Sequence, residues 1–174
     1  IIFREEVMAN KKGKIVFKVL LLLFAILLIA SYINYRMIKI DNSQSKYFHD
    51  ALIELVATDV YFDMCDVTPF DWDKMYVINP YTSQKEMHKI VGIKWTTADS
   101  YFGYITEKYF LGEYQLSDDI IHKLVFVKHG KVVCDVDLMR DKVDFTQNED
   151  VITLEGTSFV IDKTNKRNPI VKRR

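Results

Sequence analysis

The chain has 174 residues, of which 49% are hydrophobic and 28% are charged, and its 24 basic and 24 acidic residues cancel to a formal net charge of zero. The cancellation hides a segregation of charge, since residues 1–41 carry +4, residues 42–162 carry −10 and residues 163–174 carry +6. The acidic part excludes nucleic acid as a partner, because that binding depends on Lys and Arg against phosphates. Residues 42–174 suffice for one domain and are too few for two.

A run of apolar residues near the N-terminus is the most informative feature of the sequence. It reads VLLLLFAILLIASYI over residues 19–33 and follows a lysine-rich stretch at residues 11–18. The slightly longer range 15–35 crosses a hydrocarbon core of about 30 Å at about 1.5 Å per residue. We therefore predict that the chain contacts a lipid bilayer through a transmembrane signal anchor at residues 15–35.

The basic residues before the apolar run also predict an orientation. Such residues stay in the cytoplasm, so residues 1–14 form a basic cytoplasmic N-terminus and the rest of the chain lies outside the cell membrane. A biological start at Met8 agrees with the charged-then-apolar order that follows it. The alternative, a cleaved signal peptide, is disfavoured because the best cleavage site, Ile29-Ala30-Ser31, has Ile where a small residue is preferred.

Residues 42–162 are predicted to form an extracytoplasmic α+β domain, with early helices followed by an antiparallel β meander. The early elements are a helix at residues 45–57, strands at residues 59–65 and 74–78, and a short helix up to Gly92. That short helix has the clearest end signals, because Ser83 and Glu86 form a capping box and Gly92 is a natural stop. Residues 96–119 are dense in aromatic side chains and are expected to be part strand and part irregular.

A β-hairpin is the clearest element of the second half. Strands at residues 121–128 and 131–138 flank His129-Gly130, a two-residue turn. Alternation along the second strand predicts that Asp135 and Asp137 lie in solvent, as on the outer face of a half-buried antiparallel strand. The residues predicted to face the core together are Val132, Cys134, Val136 and Leu138. Two further strands are expected at residues 151–154 and 158–161, and residues 163–174 are expected to be a disordered basic tail.

The stretch from residue 67 to residue 95 is distinctive in another way. It contains Phe70-x-Trp72-Asp73, then Pro80-Tyr81 and the capped helix. In this pattern the chain resembles small bacterial membrane-anchored or lipid-anchored extracytoplasmic proteins of unassigned function. The resemblance implies a bacterial extracytoplasmic domain and no particular activity, and the missing lipid-attachment Cys implies anchoring by the helix alone. The alternative is that Trp72 and Tyr81 are core aromatics around a strand end.

No motif for catalysis or for a cofactor is present in the sequence. It lacks a phosphate loop, a nucleophile elbow, a dinucleotide fingerprint and a zinc-protease helix, so no cofactor is expected. The four histidines have no metal-ligand spacing, and the acidic residues from Asp59 to Asp73 lack the glycine and spacing of an EF-hand. Cys65 and Cys134 leave two alternatives open, a disulfide bond or two small buried hydrophobic residues.

The sequence therefore favours a membrane-tethered, non-catalytic binding protein over an enzyme. Its acidic domain suits a basic protein partner, and an immunity-type protein that neutralises a basic toxin is one specific version. The alternative is a cell-envelope enzyme or enzyme accessory protein, which requires a concave pocket with convergent polar groups. A pocket that holds Asp73, Tyr81 or His122 would favour the enzyme, and a flat acidic face would favour the binding protein. The candidate partner contacts are Asp71, Trp72, Asp73, Tyr81, Asp135 and Asp137.

Overall fold

The computed structural model describes residues 2–111, 116, 118–164 and 168–174. The chain divides into two compact units, an N-terminal unit that ends at Ile38 and a second unit from Lys39 to Arg174. The predicted α+β class is confirmed, with an N-terminal apolar helix followed by helices and antiparallel sheets.

The N-terminal unit is a single helix, α1 (Ile2–Ile38), of 37 residues. Its part from Gly13 to Ile38 is long and apolar enough to cross a membrane, by length and composition. The large apolar side chains from Ile15 to Ile33 are 44–68% exposed. The helix continues beyond the predicted range 15–35 at both ends, because Lys, Glu and Arg are good helix formers.

The second unit begins with helix α2 (Ser45–Thr58), which confirms the helix predicted at residues 45–57. It buries Phe48, Leu52 and Val56, whose spacing of four places them on one helix face. Strand β1 (Tyr61–Asp63) and the four-residue helix α3 (Met64–Val67) follow. The strand predicted at residues 59–65 is therefore too long, because Asp63 caps α3 by accepting the Cys65 N–H at 2.9 Å.

Strand β2 (Lys74–Ile78) and helix α4 (Gln84–Val91) lie where the sequence predicts them. The capping box is present, since Ser83 Oγ accepts the Glu86 N–H at 3.3 Å and Glu86 Oε2 accepts the Ser83 N–H at 2.9 Å. Gly92 ends α4 with a φ of 75°, a left-handed conformation that glycine adopts without strain.

Residues 101–111 are helical, which corrects the expectation of strand and irregular structure there. Helix α5 (Tyr101–Thr106) continues into a π-helical turn at Glu107–Leu111. Its start is fixed by Ser100, whose Oγ accepts the Gly103 N–H at 3.1 Å. The aromatic side chains favour strands in general, and this capping contact outweighs that preference.

The strands of the second unit form two antiparallel sheets, whereas the sequence predicts one continuous meander. The larger sheet has the order β4-β3-β2-β5, and the smaller sheet has the order β1-β6-β7. The new strands are β3 (Ile121–Lys128), β4 (Lys131–Met139), β5 (Val151–Thr153), β6 (Ser158–Asp162) and β7 (Ile170–Arg173). The predicted hairpin is confirmed, as are the positions of the two short strands after it.

The prediction that residues 163–174 form a disordered tail is wrong for part of this segment. Residues 170–173 are β7, which pairs with β6 and fully buries Val171. The pairing and this apolar side chain outweigh the polar composition of the segment; residues 165–167 lie outside the described residues. Residues 163–174 belong to the second unit, so their +6 offsets part of the −10 of residues 42–162. The second unit therefore carries −4, since Lys39 and Asp41 cancel.

Both faces of the larger sheet are covered. The first face, with Met75, Leu124 and Val136, packs in one apolar cluster with residues of α2 and the smaller sheet. The second face, with Tyr76, Val125 and Val132, packs in another cluster with residues of α4 and with Trp95. A sheet covered on both sides has no fully solvated face.

A bulge in β4 decides which residues reach each face. The register shifts so that Phe126 pairs with Cys134 while Val127 pairs with Val132, which leaves Val133 as an extra residue. Val132, Cys134, Val136 and Leu138 are all buried, as predicted. They do not all face the same way, because the extra residue turns Val132 to the second face and leaves the other three on the first.

Candidate functional site

A cleft of about 580 Å³ lies along the edge strand β4. Its walls come from the start of α2, from α4, from the segment at Trp95–Thr97, from Glu107 and from the charged residues of β3 and β4. The volume falls in the range of about 300–1,000 Å³ that ligand sites occupy. Most of the lining side chains are polar, so the cleft suits a charged or hydrogen-bonding group.

A buried charged cluster forms the floor of the cleft. Lys123 contacts the Asp135 carboxylate, and the two side chains are only 7% and 6% exposed. Trp95 Nε1 donates to the other oxygen of Asp135 at 2.5 Å. Asp137, which lies opposite Lys123 in the sheet, places its carboxylate 3.0 Å from Lys123 Nζ and remains 47% exposed.

The charge state of the cluster follows from its partners. Burial by itself lowers the pKa of Lys123, but the carboxylates of Asp135 and Asp137 outweigh it and raise that pKa above its ordinary value. Lys123 is therefore a cation at neutral pH. Lys123 is held by two carboxylates, and the buried one, Asp135, is held in turn by the Trp95 indole N–H, so the arrangement is rigid.

The Asn42 side chain binds the backbone of β4 at Asp135, on the edge of the strand that does not pair with β3. Its side-chain Nδ2 donates to the Asp135 carbonyl at 2.8 Å, and its Oδ1 accepts the Asp135 N–H at 2.9 Å. The amide thus satisfies two backbone groups that an edge strand would otherwise present to water. Asp135 is fixed through its backbone by Asn42 and through its carboxylate by Lys123 and Trp95.

Two of the predicted contact residues meet at this cleft. Asp137 is exposed, as predicted. Asp135 is not, and the prediction that it lies in solvent is wrong. The second face of the sheet is covered at this point by Trp95, and Lys123 on the neighbouring strand neutralises the carboxylate there.

The other four predicted contacts lie outside this cleft. Trp72 is 2% exposed, donates from Nε1 to Thr68 Oγ1 at 3.1 Å and packs edge-on against Phe126. It is a core residue, which corrects its assignment as a contact and agrees with the alternative of a core aromatic. Asp71 is exposed. Tyr81 is 64% exposed with a φ of 63°, so it is not a core aromatic.

Asp73 has a structural role at the hairpin turn. Its carboxylate accepts the His129 N–H at 2.6 Å and lies 3.3 Å from Lys128 Nζ. The His129 N–H, followed by Lys128, holds the pKa of Asp73 below its ordinary value. His129 and Gly130 both have positive φ, at 47° and 72°, as a primed turn requires. Asp73 therefore fastens the end of the hairpin.

The two thiols are free and are not activated by their surroundings. Both cysteines are free, with Cys65 exposed and Cys134 buried, so they form no disulfide with each other. Burial raises the pKa of Cys134 to about 12, and burial followed by the charge of Asp63 raises the pKa of Cys65. Both thiols are therefore poorly activated at neutral pH. Among the described residues, no group of three His, Cys, Asp or Glu side chains is placed to hold a metal ion.

His122 lies on the first face, outside the cleft. It is fully buried, its Nε2 accepts the Phe145 N–H at 3.3 Å, and its Nδ1 has no hydrogen-bond partner. Burial, which outweighs the nearby charge of Asp144, lowers the pKa of His122 to about 4. The imidazole is therefore neutral at physiological pH.

Sequence reasoning missed Lys123, Trp95, Asn42 and Glu107 as parts of the site. The available signal was a lysine inside the strand IHKLVFVK, away from its ends, together with two aspartates on the next strand. No protein-family model, curated protein or solved structure matches this chain. The site is therefore interpreted from its own geometry.

Proposed function

We propose that the chain is a single-pass membrane protein of the bacterial cell envelope whose second unit lies outside the cell and binds a basic protein partner. The observation that carries the proposal is Asp137, a half-exposed carboxylate that Lys123 holds at the cleft. A carboxylate fixed in advance loses little freedom on binding, so it suits recognition of an arginine or lysine side chain.

The composition of the cleft supports binding rather than catalysis. Lys123, Asp135 and Trp95 satisfy one another, and the described residues that line the cleft include no cysteine and only one histidine, His49. Glu107 adds a second exposed carboxylate to the lining. The total charge of −4 on the second unit would attract a basic partner and raise its association rate at low salt.

An immunity-type protein is the specific version of this proposal. Such a protein, held at the outer side of the membrane by α1, would meet a basic toxin before it reaches the membrane. A neighbouring gene that encodes a secreted basic protein would support this version. The proposed bacterial source also rests on the resemblance at Phe70-x-Trp72-Asp73.

The two cysteines offer a test of the topology. A membrane-impermeant maleimide added to intact spheroplasts of an expressing bacterium is expected to label Cys65, which is exposed. Cys65→Ser is the control, because Cys134 is buried and should react only after denaturation. Labelling of Cys65 only after lysis would reverse the orientation. Recovery of a soluble chain that begins near residue 32 would contradict the anchor.

A photo-crosslinking residue in place of Thr97 tests the binding site. Thr97 is exposed and lines the cleft. In membranes of the source bacterium we expect a crosslink to a basic protein that disappears when Asp137 is changed to Lys. The same residue in place of Val160, on β6 of the smaller sheet, is the matched control. A product that forms from both positions, or that survives Asp137→Lys, would contradict the proposal.

The cleft itself favours a second candidate, a cell-envelope enzyme or enzyme accessory protein. It is concave rather than flat, and its polar groups converge. None of Asp73, Tyr81 and His122, the residues expected in an enzyme pocket, lines it. A cell-wall fragment that raises the Tm of the full chain but not of its Asp137→Asn variant would favour this candidate.

A further inference from the structure

The helical segment Tyr101–Phe110 carries the most exposed large apolar side chains of the second unit, among the residues that the structure describes. Phe102 is 81% exposed and Phe110 is 79% exposed, and Tyr109 beside it is 62% exposed. A single exposed apolar side chain is normal on a protein surface. Two almost fully exposed phenylalanines and a tyrosine within nine residues expose more apolar surface than a single side chain does, and we call these three side chains the patch. Exposed apolar surface of this kind marks contacts with a partner or a membrane.

The patch is connected to the first residues after α1. The Ile40 N–H donates to the Thr96 carbonyl at 3.2 Å, and Lys39 forms a parallel bridge with Thr96. Lys39 Nζ also donates to the Asp99 carbonyl at 2.6 Å. Asp99 and Ser100 lead directly into the helical segment, so the chain at Lys39 and the start of this segment lie together.

The length of α1 gives the depth of Lys39 in a bilayer. The predicted anchor ends at residue 35, and Lys39 follows it by four residues. At about 1.5 Å per residue, this part of the chain extends about 6 Å beyond the hydrocarbon core. The polar headgroup layer on each side of a bilayer is about 5–8 Å thick. Lys39, and the Thr96 backbone bonded to its neighbour, therefore lie within the headgroup layer.

The chemistry of the segment suits that layer. Tyrosine rings and lysine side chains concentrate at membrane–water interfaces, where the ring meets the acyl chains and the polar end stays hydrated. Lys108 Nζ lies 5.4 Å from the centre of the Tyr104 ring and 5.1 Å from that of Tyr109. It also donates to Tyr104 Oη at 3.2 Å. Tyr104 is 7% exposed, so Lys108 and Tyr109 are the cation and the ring that this segment presents at its surface, next in sequence to the exposed Phe110.

We infer that the segment Tyr101–Phe110 is a second membrane contact, which lies in the lipid headgroup layer with Phe102 and Phe110 against the acyl chains. This inference rests on the proposed anchoring by α1. Because one contact is covalently tethered to the other, even weak binding of the segment holds it at the surface. The second contact fixes which side of the domain faces the lipid.

Depth-dependent fluorescence quenching tests the inference in the full chain. Phe110→Trp is reconstituted in vesicles of phosphatidylcholine and phosphatidylglycerol, with or without lipids brominated near the headgroup. The control is Tyr61→Trp, which places the same indole at another exposed aromatic position, 71% exposed on β1. The native Trp72 and Trp95 are buried and give both variants the same background. We expect the brominated lipids to quench the indole at position 110 at least about twofold more than that at position 61.

Equal quenching of the two variants would overturn the inference and assign the patch to a protein partner. Extraction with alkali separates this outcome from failure of the anchor. If the full chain leaves the vesicles in alkali, the proposed anchoring by α1 is wrong. If the chain stays in the vesicles and the two variants are quenched equally, the anchor stands and only the second membrane contact is wrong.

Discussion

His122 and Lys123 are neighbours on β3 and are both buried, yet they lie on opposite faces of the sheet and differ in charge. His122 is on the first face, where burial outweighs the nearby charge of Asp144 and lowers the pKa of the imidazole to about 4. Lys123 is on the second face, where two carboxylates raise its pKa. One side chain is kept neutral and the other is kept charged at the same depth in the fold.

The difference shows that depth alone does not decide whether a side chain keeps its charge. The neighbouring strand decides it, because β4 presents Leu138 opposite His122 and Asp137 opposite Lys123. A charge without a partner in a low-dielectric interior is too costly to keep, whereas a charge between two opposite charges is retained. The first face is therefore an apolar core with a neutral histidine, and the second face holds a charged cluster at the cleft.

A charge placed on the first face is expected to have the largest effect. Val136→Asp would bury an unpaired carboxylate among apolar side chains, at a cost of about 5 kcal/mol, which equals the whole stability of many domains. We expect the cooperative thermal transition, followed by circular dichroism, to disappear. Val151→Asp on the edge strand β5, where the side chain is 37% exposed, should cost less than about 1 kcal/mol. An unchanged Tm for Val136→Asp would mean that the inward face is misassigned.

Removal of a charge from the second face is expected to have the next largest effect. Asp135→Ala takes away one carboxylate of Lys123 and the acceptor of Trp95, so we expect a loss of about 3 kcal/mol in the free energy of unfolding. Urea titration measures it. Asp137→Ala, at the half-exposed carboxylate, should cost less than about 1 kcal/mol. Equal effects of the two changes would show that Asp135 is not the buried member of the cluster.

The neutral His122 predicts a pH dependence. An unfolded histidine protonates near its ordinary pKa of 6.5, while the folded one resists protonation down to about 4. The folded state therefore loses stability as the pH falls from 6.5 to 4, by about 3 kcal/mol from this group. We expect His122→Gln to flatten the slope of unfolding free energy over this pH window. Val91→Ala, on α4 and in the cluster of the second face, is the control, since it should lower stability at every pH and keep the slope.

Loss of the N-terminal cap of α4 is expected to lower the stability least. The cap stabilises the start of the helix, and the helix contributes only Met87 and Val91 to the buried cluster on the second face. Ser83→Ala removes the acceptor for the Glu86 N–H and should cost about 1 kcal/mol. Lys85→Ala, at an exposed position of the same helix, should change stability by less than about 0.5 kcal/mol. Thermal melts of the two variants measure the difference. A larger loss in the Lys85 variant would contradict the role of the cap.

Local signals in the sequence account for the elements that were predicted correctly. The His129-Gly130 turn fixes the hairpin, and Ser83 with Gly92 fixes both ends of α4. Each of these signals acts between residues close in the chain, through a turn conformation or a cap. The α+β class and the apolar N-terminal helix follow from composition and periodicity in the same way.

The charged cluster could not be predicted, because it depends on the bulge at Val133. A regular hairpin around His129-Gly130 would place Lys123 opposite Val136, and the extra residue in β4 moves it opposite Asp137. Trp95 and Asn42 come from distant parts of the chain, so their contacts with Asp135 appear only in the folded domain. The alternation of apolar and polar residues predicts that Asp135 lies in solvent only if one face of the sheet is exposed. Both faces of this sheet are covered, so the prediction fails.

Asn42 also gives the cleft a mechanical connection to the N-terminal part of the chain. The residue lies only three positions after Lys39, and both of its side-chain bonds end on the backbone of Asp135. A pull on the chain before Lys39 is carried first by the bonds to Thr96 and Asp99 and then by the Asn42 amide. Tension in the chain before Lys39 therefore loads the strand that forms the floor of the cleft. Such a force strains these hydrogen bonds before it reaches the apolar core.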